Sequence, residues 1–285
     1  MNIKKIKLYW PLIKSIQTGL LLFTGLTGFV SARCPIFNLP TLLALLGSLF
    51  LTIAGSTVLN MVYDRDIDRR MKRTLKRPLA SGQLDVKEVA WVGGLCSIAG
   101  LIWAYFLSPL YGLVVLSGWF LDVVVYTFWL KRRTPWSILW GGLSGGMPVL
   151  AGRVLGVGQI DLIGVLLAIA VVLWIPTHIM TFNIRHLEDY KNAGVPTFPS
   201  HYGIGVTRMT IALSCIGTAV AFALGAYALG LAWGYFRVLV ILTTGIVILA
   251  YFSIAKPSEK KNFALFKYAS IYMLSAMLLI LLGVR

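Results

Sequence analysis

Carboxylates are scarce in this sequence. Ten Asp and Glu stand against 26 Lys and Arg in 285 residues, and charged residues of both signs make up 13%. Soluble domains carry roughly a quarter, so a water-soluble globular fold is excluded. Cysteine is equally sparse. Cys34, Cys96 and Cys215 stand alone without CxxC spacing, which gives disulfide or thiolate-metal schemes no framework and suits small buried hydrophobes. Long polar stretches are missing too. That leaves no room for a folded soluble domain and predicts one integral domain over residues 1–285.

What the chain has is apolar: 58% hydrophobic residues and a mean hydropathy of +0.82. Runs of about 20 apolar residues read as membrane helices, because a backbone crossing hydrocarbon must satisfy its own hydrogen bonds. Nine such runs are expected, near residues 12–32, 41–61, 86–108, 110–130, 135–155, 161–183, 206–230, 235–255 and 263–283. The fold class is therefore all-α and polytopic. The first run follows Lys4, Lys5, Lys7 and Lys14 in the manner of a signal peptide, but eight more follow it and it is expected to be retained. Gly141, Gly142, Gly145, Gly146, Pro148 and Gly152 thin the fifth run, which predicts close helix packing or a cavity-facing kink.

A net charge of +16 would suit nucleic acid, yet the charges are sorted by side. With a cytoplasmic N-terminus, 22 of the 26 Lys and Arg fall at inner ends, and only Arg33, Arg153, Arg237 and Arg285 fall outside. That is the positive-inside rule. Topology and anionic membrane lipid account for the basic balance, and no nucleic-acid partner is expected.

The few carboxylates cluster. Asp64, Asp66, Asp68, Asp85 and Glu88 lie in the second-to-third connection, Glu188 and Asp189 in the sixth-to-seventh, and Glu259 in the eighth-to-ninth, all inner. Asp161 is outer, and Asp122 falls within the fourth span, either paired with a polar neighbour or facing a substrate chamber. In "NMVYDRDIDRRMKRTLKRPLASG", residues 60–82, Asn60, Asp64 and Asp68 recur every fourth residue. On a helix that spacing drifts only ~40° per step, so the three share one face while Asp66 points elsewhere. An amide oxygen and two carboxylates form an all-oxygen set suited to Mg²⁺, which prefers few carboxylates plus waters and phosphate oxygens. The neighbouring Arg70, Arg73 and Arg77 would repel a bare cation but fit one bound with diphosphate. A charge-paired cap needs no such row, since surface pairs stabilise little.

A second polar cluster, "WIPTHIMTFNIRHLEDYKNAGVPTFPSHYG", spans residues 174–203. His178 and Asn183 inside a span are costly unless they meet a partner or a cavity, and Asp189 follows at the exit. Between the clusters, "YTFWLKRRTP" starts at Tyr126 and brings Lys131, Arg132 and Arg133, either as headgroup anchors or as a second grip on diphosphate.

These segments resemble the UbiA superfamily of intramembrane prenyltransferases, whose first signature is N-x-x-x-D-x-x-x-D. The likeness is strongest to its haem-farnesylating branch. It is carried by "DRDIDRRMKRTLKRPLASG" after Asn60, "YTFWLKRRTP", "GGLSGGMPVLAGR", the histidine of "IPTH" and "EDYKNAGVPTFP". The resemblance implies nine helices around a central chamber with both polar loops at its cytoplasmic mouth, in a prokaryotic plasma membrane. It implies Mg²⁺, a farnesyl diphosphate donor and a haem b acceptor. Asn60, Asp64 and Asp68 would hold metal and diphosphate, and Arg73, Arg77 and Lys131 or Arg132 would bind phosphate oxygens. Asp189 would serve the second motif. His178, with Asn183 and Tyr126 nearby, would contact the acceptor, His178 as a candidate iron ligand.

The chemistry is coherent without the family. Once metal and arginines neutralise the departing diphosphate, an allylic cation remains that water would quench unless an apolar chamber excludes it. The residues leave open a quinone precursor, another aromatic ring or a lipid as acceptor. A transporter fits less well, because no polar stripe continues to the outer face.

Overall fold

The computed structural model describes residues 7–33 and 38–284. Lys4, Lys5, Cys34 and Arg285 lie outside the described residues. Helices are α1 Ser15–Ser31, α2 Leu39–Tyr63, the short α3 Arg65–Arg70, α4 Val86–Leu107, α5 Pro109–Leu130, α6 Ser137–Val157, α7 Leu162–Arg185, the short α8 Leu187–Asn192, α9 Phe198–Ala228, α10 Trp233–Ala255 and α11 Glu259–Gly283. Eight of them are long and apolar enough to cross a membrane. A ninth is Lys7–Ile13 with α1, if that pair, bent by 51°, counts as one span. The expected all-α polytopic architecture is what the chain adopts.

Side chains already in the sequence set several of the boundaries. Asp85 caps α4 by accepting from the Glu88 N–H at 2.9 Å, and Asp161 caps α7 by accepting from the Gly164 N–H at 2.8 Å. Thr197 and Ser200 form a capping box that starts α9. An N-cap of this kind stabilises a helix by about 1 kcal/mol. The cap also moves the seventh span upstream of the expected 206–230. Its first turn lies ahead of a break at Gly203, whose φ of 81° suits glycine.

The spans pack α2 on α4, α9 on α7 and α1 on α6, and α11 returns to α1 to close the arrangement. The glycine-thinned fifth span is a full helix, and its glycines do two jobs. A Cβ at Gly152 would strike the Gly25 carbonyl, and one at Gly28 would strike the Val149 carbonyl, so α1 and α6 touch backbone to backbone. Gly141 and Gly145 instead line a cavity. At the end opposite the polar loops, Arg153 is 7% exposed. It forks onto Asp161, with Nη2 to Oδ2 at 2.6 Å, and donates to the Ser31 carbonyl. This ties together the ends of α1, α6 and α7.

The fourth span departs from expectation. Only Pro109–Trp119 is α-helical, and Phe120–Leu130 is a π-helix, a form that is rare in long runs and common at functional sites.

Candidate active site

Helix α2 stops at Tyr63 because Asp64, at φ −85° and ψ 1°, leaves helical geometry, and α3 restarts at Arg65. The hydrogen-bond ladder survives the break. The Asp64 N–H donates to the Asn60 carbonyl and the Asp68 N–H to the Asp64 carbonyl, both at 2.9 Å. The row therefore keeps its face. Asn60, Asp64 and Asp68 are 6%, 4% and 6% exposed, and all three line one cavity of about 770 Å³. Asp66 points the other way, its side chain half exposed.

The row continues one turn inward to Ser56 and meets α5 in steps. Ser56 Oγ donates to Asp122 Oδ2 at 2.6 Å, Asn60 Nδ2 donates to Thr127 Oγ1 at 2.9 Å, and Lys131 Nζ donates to Asp64 Oδ2. Positions 56, 60 and 64 advance by four. Their partners 122, 127 and 131 advance by five and then four. The π-helix supplies the longer step: Thr127 Oγ1 reaches the Asp122 carbonyl at 2.7 Å, and the Lys131 N–H reaches the Tyr126 carbonyl at 2.9 Å, five residues back. Asp122 thus does both things the sequence left open, pairing with Ser56 and lining the cavity.

Cations close the mouth. Arg77 Nη1 straddles Asp68 at 3.0 and 2.9 Å. Arg73 lies 4.9 Å over the Phe182 ring and Lys131 5.4 Å over Tyr126. Lys14 Nζ reaches Asn60 Oδ1 at 3.4 Å from the bend in the first span, where φ is 45°. Lys14 was read from sequence only as a flanking charge; its position inside the apolar run after Pro11 was the available signal. Lys14, Arg73, Arg77 and Lys131 face Asp64, Asp68 and Asp122 across the cavity, one net positive charge.

Deeper in, His178 is stacked between Trp174 (4.9 Å) and Phe266 (4.5 Å), and its Nδ1 sits 3.1 Å from Ser270 Oγ. That fixes the ring and leaves Nε2 without a hydrogen-bond partner among the described residues. Asn183, 7% exposed, and the half-buried Tyr126 also line the cavity.

Two expected site residues lie elsewhere. Arg132 is drawn off by Asp66, to which it donates at 2.8 and 2.6 Å, and by the Tyr63 carbonyl, so it braces the outside of the α2–α3 corner and does not line the cavity. Its guanidinium holds the Asp66 carboxyl below the usual range. Asp189 sits half-buried in the first turn of α8, a helix too short to turn it inward, and its neighbour Tyr190 takes the wall position. Nearby His186 is kept below its ordinary pKa by burial and then by the Arg73 charge.

The donor set fits Mg²⁺. Asp64 Oδ1 is buried with no hydrogen-bond partner among the described residues, an arrangement costing about 1–3 kcal/mol unless something fills it. No cluster of three His, Cys, Asp or Glu able to hold a metal exists among the described residues. The remaining ligands would have to be water and substrate oxygens, which is how Mg²⁺ binds and not how zinc does.

The UbiA prenyltransferase family model matches residues 21–274. The chain belongs to the UbiA prenyltransferase family. This UbiA protein is an integral membrane enzyme, a prenyltransferase. It is 38% identical over 287 residues to a protoheme IX farnesyltransferase of Archaeoglobus fulgidus, covering 99% of both chains. A protoheme IX farnesyltransferase of Korarchaeum cryptofilum is 40% identical over 71% of this chain and 68% of its own. Among solved structures, one described as a UbiA homolog from Archaeoglobus fulgidus bound to GPP and Mg²⁺ superposes with a TM-score of 0.70 at 17% identity, covering 96% of this chain and 99% of that one. A digeranylgeranylglyceryl phosphate synthase structure superposes at 0.82 and 20% identity over 99% of both chains. At such identities these structures speak to the shared fold.

Proposed function

We propose that this chain transfers the farnesyl group of farnesyl diphosphate to a vinyl group of haem b, giving haem O, as one integral-membrane domain. The observation that carries the reading is the buried row Asn60, Asp64 and Asp68 lining a largely apolar chamber that also presents a fixed histidine. Two features support the acceptor: the 38% identity over 99% of both chains to a protoheme IX farnesyltransferase, and an imidazole nitrogen of the kind that binds haem iron. The charge distribution supports a mouth on the cytoplasmic side of a prokaryotic plasma membrane.

Each group then has a task. Asn60, Asp64 and Asp68 hold the metal, and Mg²⁺ when bound neutralises charge growing on the leaving diphosphate. Arg73, Arg77, Lys131 and Lys14 bind the remaining phosphate oxygens, the arginines as forks and the lysines as point charges. With Mg²⁺ the lining charge rises from one to three positive, matching a fully ionised prenyl diphosphate. The allylic cation left behind faces aliphatic and aromatic side chains, which exclude water and stabilise positive charge through ring faces. His178 seats the acceptor, and Asn183 and Tyr126 border it.

Purified protein in detergent, supplied with farnesyl diphosphate, haem b and Mg²⁺, should form hydroxyethylfarnesyl haem identified by mass. Asp64→Ala and Asp68→Ala should lose it while eluting as folded protein. Farnesyl transfer to a quinone precursor, another aromatic compound or a lipid, and never to haem, would overturn the acceptor assignment.

A further inference from the structure

Joining a prenyl cation to a carbon acceptor creates a bookkeeping problem for protons. A new C–C bond forms at the prenyl C1, the C1–O bond to diphosphate breaks, and positive charge moves onto the acceptor. It is discharged either by losing a C–H proton or by capturing water, and one proton leaves in both cases. Some base must take it inside a chamber built to exclude solvent.

Three carboxylates line that chamber among the described residues. Asp68 is held by Arg77, and Asp64 by Lys131, and both belong to the metal and diphosphate grip. Asp122 differs in every respect. Among the described residues it forms no ion pair, and its one side-chain hydrogen bond there is the 2.6 Å donation from Ser56 Oγ to Oδ2. Oδ1 has no donor among the described residues, and Asp122 lines the chamber. A carboxylate within a membrane span is costly without a function or a partner, and a neutral hydroxyl is a weak one.

Its position suits the task. Ser56 stands one α-helical turn inward of Asn60, roughly 6 Å along the axis, on the face that carries Asp64 and Asp68. Asp122 therefore lies just past the diphosphate end, where the prenyl C1 and the acceptor carbon must meet. Ser56 fixes one oxygen and so aims the other into the cavity. The π-helix carries Asp122 while keeping Thr127 against Asn60, tying its placement to that of the metal row.

We infer that Asp122 is the proton acceptor of the transfer. Resting on the haem reading above, the step is capture of water by the cation on the former vinyl carbon: the water oxygen bonds to carbon and its proton passes to Asp122 Oδ1. With a different carbon acceptor the same oxygen would take the ring proton. Ser56 is a positioning residue.

The test measures two products separately in one reaction of purified protein with farnesyl diphosphate, Mg²⁺ and haem b: released diphosphate, and hydrated farnesyl haem. In the wild-type protein they should appear together. Asp122→Asn should keep releasing diphosphate at a similar rate while hydrated adduct per diphosphate falls about a hundredfold, with farnesol in its place. Asp122→Glu should restore part of the coupling. Ser56→Ala, which leaves the acid in place, should lower the ratio less and guards against misfolding of the Asp122 variants. An unchanged ratio in Asp122→Asn, or equal loss of both products in Asp122→Asn and Ser56→Ala, overturns the assignment. If wild-type protein releases diphosphate but alkylates only another acceptor, the haem reading fails. The ratio measured with that acceptor then judges Asp122 on its own.

Discussion

Replacing Asp64 by asparagine preserves shape and removes one charge from the metal row. Its cost depends on the medium. Two unit charges 4 Å apart interact by ~1 kcal/mol in bulk water but ~4 kcal/mol at the effective dielectric of a protein site. Asp64 is 4% exposed, so the second figure applies. About 4 kcal/mol of lost transition-state stabilisation is roughly a thousandfold in kcat/KM, whereas a solvent-exposed acid would cost only about fivefold. The assay is farnesyl diphosphate turnover across a magnesium titration, with elution volume in detergent as the fold control. Half-saturation should also move to higher Mg²⁺. The counter-variant is Lys131→Gln, because Lys131 neutralises the Asp64 carboxylate through Oδ2 while the metal would take the unpartnered Oδ1. It should lower the magnesium required and raise KM for farnesyl diphosphate, opposite signs that a purely structural lysine would not produce. A loss below tenfold in Asp64→Asn, or the same direction for both constants in Lys131→Gln, refutes the reasoning.

His178→Ala should abolish the haem absorption signature of the purified protein while farnesyl diphosphate binding persists, since the ring stacks between Trp174 and Phe266 beside Ser270, away from the diphosphate grip; a combined loss in titrations would point to collapse of the chamber wall. Gly28→Ala and Gly152→Ala should each cost about 1–3 kcal/mol by overpacking the α1–α6 contact, read as a lower midpoint in detergent thermal melts, whereas Gly94→Ala, which meets nothing within 4 Å, should not. Asp66 has its folded pKa depressed, chiefly by the Arg132 hydrogen bond. The stability it contributes is therefore present above the ordinary aspartate pKa and lost as pH falls through the lowered value. Asp66→Asn should flatten the acid limb of a melting-temperature profile and leave turnover at neutral pH nearly unchanged.

The spans were legible because hydrocarbon imposes one rule, internal satisfaction of every backbone group, which long apolar runs advertise. The shared face of Asn60, Asp64 and Asp68 was legible for a similar reason, since a four-residue repeat fixes a face even where α2 gives way to α3. Asp189 and Arg132 were not. Spacing places a residue near a loop but says nothing of a rival partner, and Asp66 outcompetes the chamber for Arg132 by offering two oxygens at 2.6 and 2.8 Å. Lys14 was hidden by the opposite error. A lysine among other lysines at a helix entrance looks like a lipid anchor, and only the 51° bend of the first span turns it onto Asn60.

The π-helix is the feature that no periodicity announced, and the site depends on it. Had residues 120–130 stayed α-helical, each residue would advance by about 100°. Asp122 and Thr127, five residues apart, would then differ by about 140° in facing. With Thr127 against Asn60, Asp122 would turn away from Ser56 toward a neighbouring helix or lipid. With Asp122 kept in the chamber, Asn60 would lose its partner and the metal row its inner brace. Closing hydrogen bonds on the fifth residue brings both onto one line, so that an amide-and-acid row on α2 and a lone carboxylate on α5 face the same volume. The sequence signal was weak because the segment "FLDVVVYTFWL" offers only Asp122, Tyr126 and Thr127 as polar landmarks, too few to separate a period of 3.6 from a longer one. The contacts of Asp122, Thr127 and Lys131 with Ser56, Asn60 and Asp64 fit the wider helix, and their spacing sets the depth at which Asp122 meets the chamber.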